Sequence, residues 1–390
     1  MSFKQEMNYI KRLHRQWLKL TTPFFGSVPA KGYWVSGKEY YHHYQGQLPG
    51  LEYHTCYPEH DVTYQLPRSI HSPIHAYFLQ KTERKIPEAY WLTVPNGIIL
   101  RAHRSMGSVV AHDGKVIHDS SRQYWYKVEE NEALYRKFPA QQVIDKCIAV
   151  TTDGGGGLNY WHWLVDILPR IYLLKHGDIW TKIDYFLVDK PLDKMRLTLE
   201  IIGIEKGQII YTAYNSSLRT YSVVVPQFIS EKSRWIVDFL RNYFLPYKLE
   251  KQIQAEKVYI SRAKANRRRI INENQILDYL LPLGYKPVYL EDLSFVEQIS
   301  LFNSAKYVIG LHGAGMTNII WCESGSRVLE IFPVEPCRDY YWFLANYAGL
   351  DYYYWCPVSP DENKILSNDL NNDILIDIHK FAEVLAHFES

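Results

Sequence analysis

The chain reads as an α/β protein built on two doubly wound parallel sheets that face each other, preceded by an aromatic, proline-punctuated leading segment. Three observations predict this. From about residue 143 onward, short apolar runs alternate with helix-length segments, the rhythm of successive βαβ units. The rhythm restarts near residue 257 after a proline-containing crossover, which makes two sheets rather than one. The apolar run 305–309 then passes through Gly310-Leu311-His312-Gly313-Ala314-Gly315 into Met316-Thr317-Asn318, small residues standing where a strand must turn tightly into a helix.

The leading segment, residues 1–88, is broken by Pro23, Pro29, Pro49, Pro58, Pro67 and Pro73. Its one helix is expected at residues 7–20, where Lys11, Arg12, Arg15 and Lys19 accompany Tyr9, Ile10, Leu13, Trp17 and Leu18. Such a basic amphipathic helix can lie on an anionic membrane surface or dock on its own domain. Residues 89–127 suggest a small β meander with turns at Val94-Pro95-Asn96-Gly97 and His112-Asp113-Gly114-Lys115. The second turn separates two β-rich runs and reads as a hairpin.

Strands are then expected at 146–150, 185–188, 208–211 and 222–225, with helices at 158–174, 195–202 and 232–244. Pro169 should kink or end the first of these helices. The second series predicts strands at 257–260, 286–290, 305–309 and 328–332, with helices at 274–281, 295–303, 316–321 and 374–388.

Composition narrows the functional classes. The 390 residues carry a formal net charge of +2 with scattered basic side chains, which argues against a nucleic-acid partner. Five cysteines without a C-x-x-C pair argue against a disulfide framework or zinc site and for a reducing compartment. No stretch reaches the ~18 apolar residues of a membrane span, and the first residues lack a signal core. The expectation is a soluble, cytoplasmic protein.

Three places carry chemistry. The Gly310–Asn318 stretch is an anion trap in outline: backbone N–H groups at a helix start point outward, and absent side chains let a diphosphate approach. Its spacing is neither G-x-G-x-x-G nor G-x-x-x-x-G-K-[ST], which leaves a nucleotide-sugar as the best ligand. His312 precedes the turn, and Glu330, ending the next strand, could accept from ribose hydroxyls or serve as a structural carboxylate. Upstream, Tyr259-Ile260-Ser261-Arg262 ends a strand and is followed by Arg267, Arg268 and Arg269, whose guanidinium groups can fork onto diphosphate oxygens. Three adjacent arginines cannot all face one ligand.

The third place is the helix after Thr151-Thr152-Asp153-Gly154-Gly155-Gly156-Gly157. Asn159, His162, Asp166 and Arg170 recur at spacings of three, four and four, a polar stripe on an otherwise apolar helix. His162 with Asp166 can form an oriented general base, or the stripe can be a structural seam. Two rival functions fare worse. An oxidoreductase needs a dinucleotide fingerprint that neither sheet carries, and the HGAG loop would serve an esterase only with a G-x-S-x-G elbow, which is absent. A non-catalytic nucleotide-sugar-binding module remains the alternative.

Together, the N-x-x-H-x-x-x-D helix, Ser261-Arg262 with Arg268-x-x-x-Asn272-Glu273, the HGAGMTN turn and Leu329-Glu330-Ile331-Phe332-Pro333 resemble glycosyltransferase family 61, in order across residues 90–335. The resemblance implies a GT-B architecture of two Rossmann-like domains, here 89–248 on the acceptor side and 249–390 on the nucleotide-sugar side. It implies inversion at the anomeric carbon with no cofactor and no obligatory metal. The donor would be a UDP-sugar, and the acceptor a glycan or lipid-linked glycan in bacterial surface-polysaccharide synthesis. Carried over by position, Ser261, Arg262, Arg268 and the amides of Gly313, Ala314 and Gly315 would hold the diphosphate, and Arg269, His312 and Glu330 complete the expected donor site. Thr317 and Asn318 would support the turn, His162 or Asp166 would act as base, and Asn159 and Arg170 would assist. The work would take place in the cytoplasm, with contact to the inner membrane face through residues 7–20.

Overall fold

The computed structural model describes residues 29–70, 73–101, 107–121, 127–152, 156–211, 216–249, 254–333, 338–357 and 373–390. The expected basic helix at 7–20 lies outside them. The chain divides into two compact units, residues 1–59 with 87–231 and residues 60–86 with 232–390.

The first unit holds a ten-stranded sheet. Along its main path the order is Gly32–Trp34, Lys115–Ile117, Ser108–Val110, Ile98–Arg101, Ser216–Pro226, Gln141–Val150, Tyr185–Val188 and Ile209–Tyr211. The last four are mutually parallel, and the strands expected around 146–150, 185–188, 208–211 and 222–225 are all among them. The sheet as a whole is mixed, not purely parallel. Ala89–Pro95 and Ile98–Arg101 both run antiparallel to Ser216–Pro226 and join its free side.

This corrects the turn read at residues 94–97. Pro95 faces Ser222 and Ile98 faces Arg219, so the chain continues along the same partner strand instead of reversing. Asn96 takes a left-handed conformation with φ 53° and Gly97 fits against Val223, so the two residues make a bend within one strand line. The Asp113-Gly114 hairpin forms as expected, with Gly114 at φ +84° between two antiparallel strands.

The second unit is built around a wholly parallel sheet. Its strands are β1 (Lys257–Ile260), β2 (Lys286–Val288), β3 (Tyr307–Leu311), β4 (Arg327–Ile331) and β5 (Asp351–Trp355), in the spatial order β2-β1-β3-β4-β5. The two-residue strand Arg68–Ser69 pairs in parallel with β5, so part of the leading segment belongs to this sheet. Helices α1 (Glu273–Leu280), α2 (Phe295–Ser304), α3 (Tyr340–Ala348) and α4 (Ile378–Glu389) connect or flank these strands. The strands are apolar because both faces are covered: Tyr259, Ile309, Leu311, Leu329 and Ile331 pack with Phe381, Leu385 and Phe388 of α4. Helix α2 opens with a full capping box, Ser294 accepting from the Glu297 N–H and Glu297 from the Ser294 N–H.

Helix α3 and strand β5 were not expected. Seven of the nine α3 residues are buried, so it carries no polar face and no 3.6-residue hydrophobic period. Among the described residues, no helix is long and apolar enough to cross a membrane.

Candidate functional site

In a doubly wound sheet, ligands bind outside the carboxyl ends of the strands where the strand order reverses. In the second unit that point lies between β1 and β3, since the chain steps from β1 out to β2 and returns to β3 on the other side. Ser261 and Arg262 leave the end of β1, and His312 and Gly313 leave the end of β3. The two segments singled out from sequence therefore meet at one edge.

Gly313 is extended and caps a 3₁₀-helix, Ala314–Trp321. The expected helix exists, but its turns are tighter than α. Gly310 and Gly315 allow this packing: a Cβ on Gly310 would lie 2.5 Å from Met316 Sδ, and one on Gly315 would lie 2.6 Å from Leu290. Among the described residues, the N–H groups of Gly313, Ala314 and Gly315 have no protein acceptor, as expected of donors at a helix start. Ala314 and Gly315 are half-buried, open enough for a ligand to reach.

Arg262 and Arg268 converge on this turn. A Cβ on Gly313 would stand 2.2 Å from Arg262 Nη1, so the guanidinium lies directly against the glycine. Arg262 Nε donates to the Arg268 carbonyl at 2.8 Å and Nη2 to the Arg267 carbonyl at 3.0 Å. Arg268 adopts φ 57°, a left-handed conformation that costs a non-glycine residue about 1 kcal/mol, and its Nη1 donates to the His312 carbonyl at 3.1 Å. Burial, reinforced by the neighbouring Arg268 charge, pulls the Arg262 guanidinium below its ordinary value. A bound anion would relieve both effects. Arg269 goes elsewhere, forking onto Asp373 at 3.0 and 2.7 Å, so the donor role read for it from sequence gives way to an exposed ion pair.

Glu273 organises this loop, a role the sequence did not disclose. Buried at the start of α1, it accepts from Tyr259 Oη at 2.8 Å, Ser261 Oγ at 3.1 Å and the Arg262 N–H at 3.2 Å. Ser261 is thus 4% exposed and already bonded, and it serves the loop's shape. Thr317 and Asn318 support the turn: Thr317 Oγ1 donates to the Ala314 carbonyl, and Asn318 Nδ2 to the Gly315 carbonyl and Gln298 Oε1. Gln298, 1% exposed on α2, is a second supporting residue not foreseen.

Glu330 departs from its ribose reading. It is 1% exposed, with one oxygen bonded to His312 Nδ1 and the other accepting from Tyr352 Oη. No open carboxylate is left for a ribose, and Glu330 instead holds His312. The imidazole also stacks on Phe332 with ring centres 5.3 Å apart.

In the first unit, Asn159 caps the helix that follows the glycine loop, its Oδ1 accepting from the N–H groups of Trp161 and His162. The helix runs through residues 160–173 and changes character on the way: Trp163–Ile167 is π-helical and Leu168–Leu173 is α-helical. Pro169 thus neither ends nor breaks it. The wider turn places Pro169 at the start of the next α stretch, where its missing N–H costs no bond. Inside the π turn, Asp166 Oδ2 lies 2.6 Å from His162 Nδ1. The carboxylate side chain is 5% exposed and the imidazole 40%. With Nδ1–H given to Asp166, the acceptor lone pair of the neutral ring falls on Nε2. Gly157 fits only without a side chain, because a Cβ would come within 2.4 Å of the Lys190 carbonyl.

Arg170 is wholly buried. It donates to the carbonyls of Thr152 at 2.7 Å, Pro226 at 3.0 Å, and Ser120 and Val150 at 3.3 Å. Val150 and Pro226 end adjacent parallel strands at the reversal of this first sheet. A guanidinium thus fills the place where a doubly wound sheet would take a ligand, and the helix carrying His162 is tied to both strand ends. Arg170 is a support.

One measurable consequence concerns Gly313. At φ 169° alanine fits the backbone, so Gly313→Ala should leave the melting temperature within a few degrees while its methyl displaces Arg262. If this turn holds the diphosphate expected from the sequence, affinity for such a ligand, read by calorimetry with UDP as the probe, should fall about tenfold or more, the worth of one charge-assisted contact. Unchanged affinity would remove Arg262 from the site.

The family model "Glycosyltransferase 61" matches residues 160–329, from the His162 helix into β4. The EGF domain-specific O-linked N-acetylglucosamine transferase of Canis lupus familiaris is 27% identical over 118 residues, 29% of this chain and 21% of that protein. Its Gallus gallus counterpart is 28% identical over the same length. The beta-1,2-xylosyltransferase of Arabidopsis thaliana is 30% identical over 98 residues, 22% of this chain and 18% of the relative. The chain thus spans about a fifth of the length of these relatives.

Proposed function

We propose that this protein is an inverting, metal-independent GT-B glycosyltransferase. It moves a sugar from a UDP-sugar to a hydroxyl of a glycan or lipid-linked glycan, in surface polysaccharide synthesis at the cytoplasmic side of the membrane. One observation carries the reading: Arg262, Arg268 and three unbonded backbone N–H groups meet at the strand-order reversal of a fully parallel sheet. Guanidinium groups converging on N–H donors at a helix start suit a diphosphate, the leaving group of a nucleotide-sugar donor.

In the proposed reaction His162 Nε2 takes the proton of the acceptor hydroxyl while Asp166 holds Nδ1–H and balances the imidazolium that forms. The hydroxyl oxygen bonds to C1 from the face opposite the diphosphate. The C1–O bond to phosphate breaks and its electron pair leaves with UDP. Arg262, Arg268 and the turn's N–H groups stabilise that charge. The helix start alone contributes only about 0.3–1 kcal/mol, so the arginines must supply most of it.

The test is incubation of the purified protein with a panel of UDP-, GDP- and dTDP-sugars, with and without EDTA, reading release of nucleoside diphosphate and the anomeric configuration of the product. EDTA-resistant release of UDP with inversion is expected. Release that depends on added metal, retention of configuration, or no turnover with any donor would each overturn the corresponding part of the reading.

A further inference from the structure

The buried His312–Glu330–Tyr352 array has no part in the reaction as just described. His312 is 5% exposed and Glu330 1%. One Glu330 oxygen is bonded to His312 Nδ1 and the other accepts from Tyr352 Oη, so both are engaged within the protein. The groups around the imidazole come from several elements: Glu330 on β4, Tyr352 on β5, Tyr341 on α3 with its ring 5.4 Å away, and Arg268 at the His312 carbonyl. Tyr341 senses the charges of Glu330, Arg268 and Arg262 together, which puts all of them in one electrostatic neighbourhood. No protein group among the described residues bonds His312 Nε2. A carboxylate this deeply buried needs a cation beside it, and the imidazole is the group it touches.

Resting on the glycosyltransferase reading above, we infer that His312 binds the donor as an imidazolium: Glu330 and Tyr352 are positioning residues that hold its Nδ1–H, and its Nε2–H donates to a diphosphate oxygen beside the Gly313–Gly315 turn. The ring keeps its proton throughout. As the C1–O bond breaks, the electron pair goes to the departing phosphate and the Nε2–H hydrogen bond strengthens with the charge that develops there. A neutral imidazole, with Nδ1–H held by Glu330, would present a lone pair to the phosphate and repel it. Donor affinity should therefore draw on the ring's positive charge as well as on its N–H.

The experiment is calorimetric titration of UDP, with uridine as the ligand that lacks a diphosphate, against wild type and His312→Gln, together with nitrogen NMR of the His312 ring in UDP-bound wild type and Glu330→Gln. His312→Gln, whose amide can donate but carries no charge, should bind UDP about tenfold or more weakly than wild type and uridine equally well. Both ring nitrogens should carry a proton in UDP-bound wild type, and Glu330→Gln, which removes the counter-charge, should lose one of them. If Glu330→Gln does not fold, the wild-type spectrum and His312→Gln decide alone. Unchanged UDP affinity in His312→Gln or an unprotonated ring nitrogen in UDP-bound wild type would overturn the imidazolium, and an unchanged ring in folded Glu330→Gln would overturn the positioning role. Absence of UDP binding by wild type is a separate outcome: it removes the donor-site reading, and this inference with it.

Discussion

Replacing Arg262 with alanine is expected to weaken UDP binding about ten- to a hundredfold. Each charge-assisted hydrogen bond to a phosphate oxygen is worth roughly 1.5–3 kcal/mol, and each 1.4 kcal/mol is a factor of ten in Kd. The loss has two sources. Alanine removes the guanidinium that lies against Gly313. It also removes the two hydrogen bonds that hold the Arg267 and Arg268 carbonyls, and with them the strained backbone that turns Arg268 toward His312. Arg262→Lys separates these effects, since lysine keeps the charge but cannot hold both carbonyls and a phosphate from one planar fork. Lysine should recover part of the affinity. Calorimetry with UDP is the measurement, and an alanine variant that folds and binds as tightly as wild type would remove the β1–β3 edge as the donor site.

The second large effect concerns the His162–Asp166 pair. His162→Ala should lower kcat by about 10²- to 10⁴-fold, the range for loss of a general base, with UDP affinity unchanged. Asp166→Asn should be nearly as damaging. An amide at 2.6 Å from Nδ1 can donate to the ring, which favours the tautomer with hydrogen on Nε2, and that nitrogen can then no longer accept a proton. Initial rates at saturating donor and acceptor, alongside UDP titration, test both. Turnover at the wild-type level in either variant would mean that the base lies elsewhere.

The contrast between Glu330 and Arg269 on one side and Arg262 on the other shows what could be read from the chain alone. All three are charged residues at a strand end or in the loop that follows one, and from sequence all three are candidates for the same ligand. Arg262 lies against the glycine turn, Arg269 is taken up by Asp373, and Glu330 is sealed between His312 and Tyr352. The partners Asp373 and Tyr352 are 104 and 22 residues distant along the chain, beyond any local pattern. Gln298 has no sequence signal and the role of Glu273 has none either, since each acts through contacts that only the folded unit creates. The π turn at Trp163–Ile167 has no spacing signature either. It is the helix's accommodation of Pro169, and it still leaves His162 and Asp166 in contact.

What the chain determined by itself is local in cause. Apolar runs of strand length, the HGAG turn and the H-x-x-x-D pair follow from short-range sterics and from the periods of helix and strand, so those elements and both candidate motifs were legible in order. Tertiary structure decided the rest: the antiparallel half of the first sheet, helix α3 and strand β5, and which charged side chains face a common point. Those depend on long-range pairing and on burial from all sides, and burial from all sides removes the polar face that would have made the period visible.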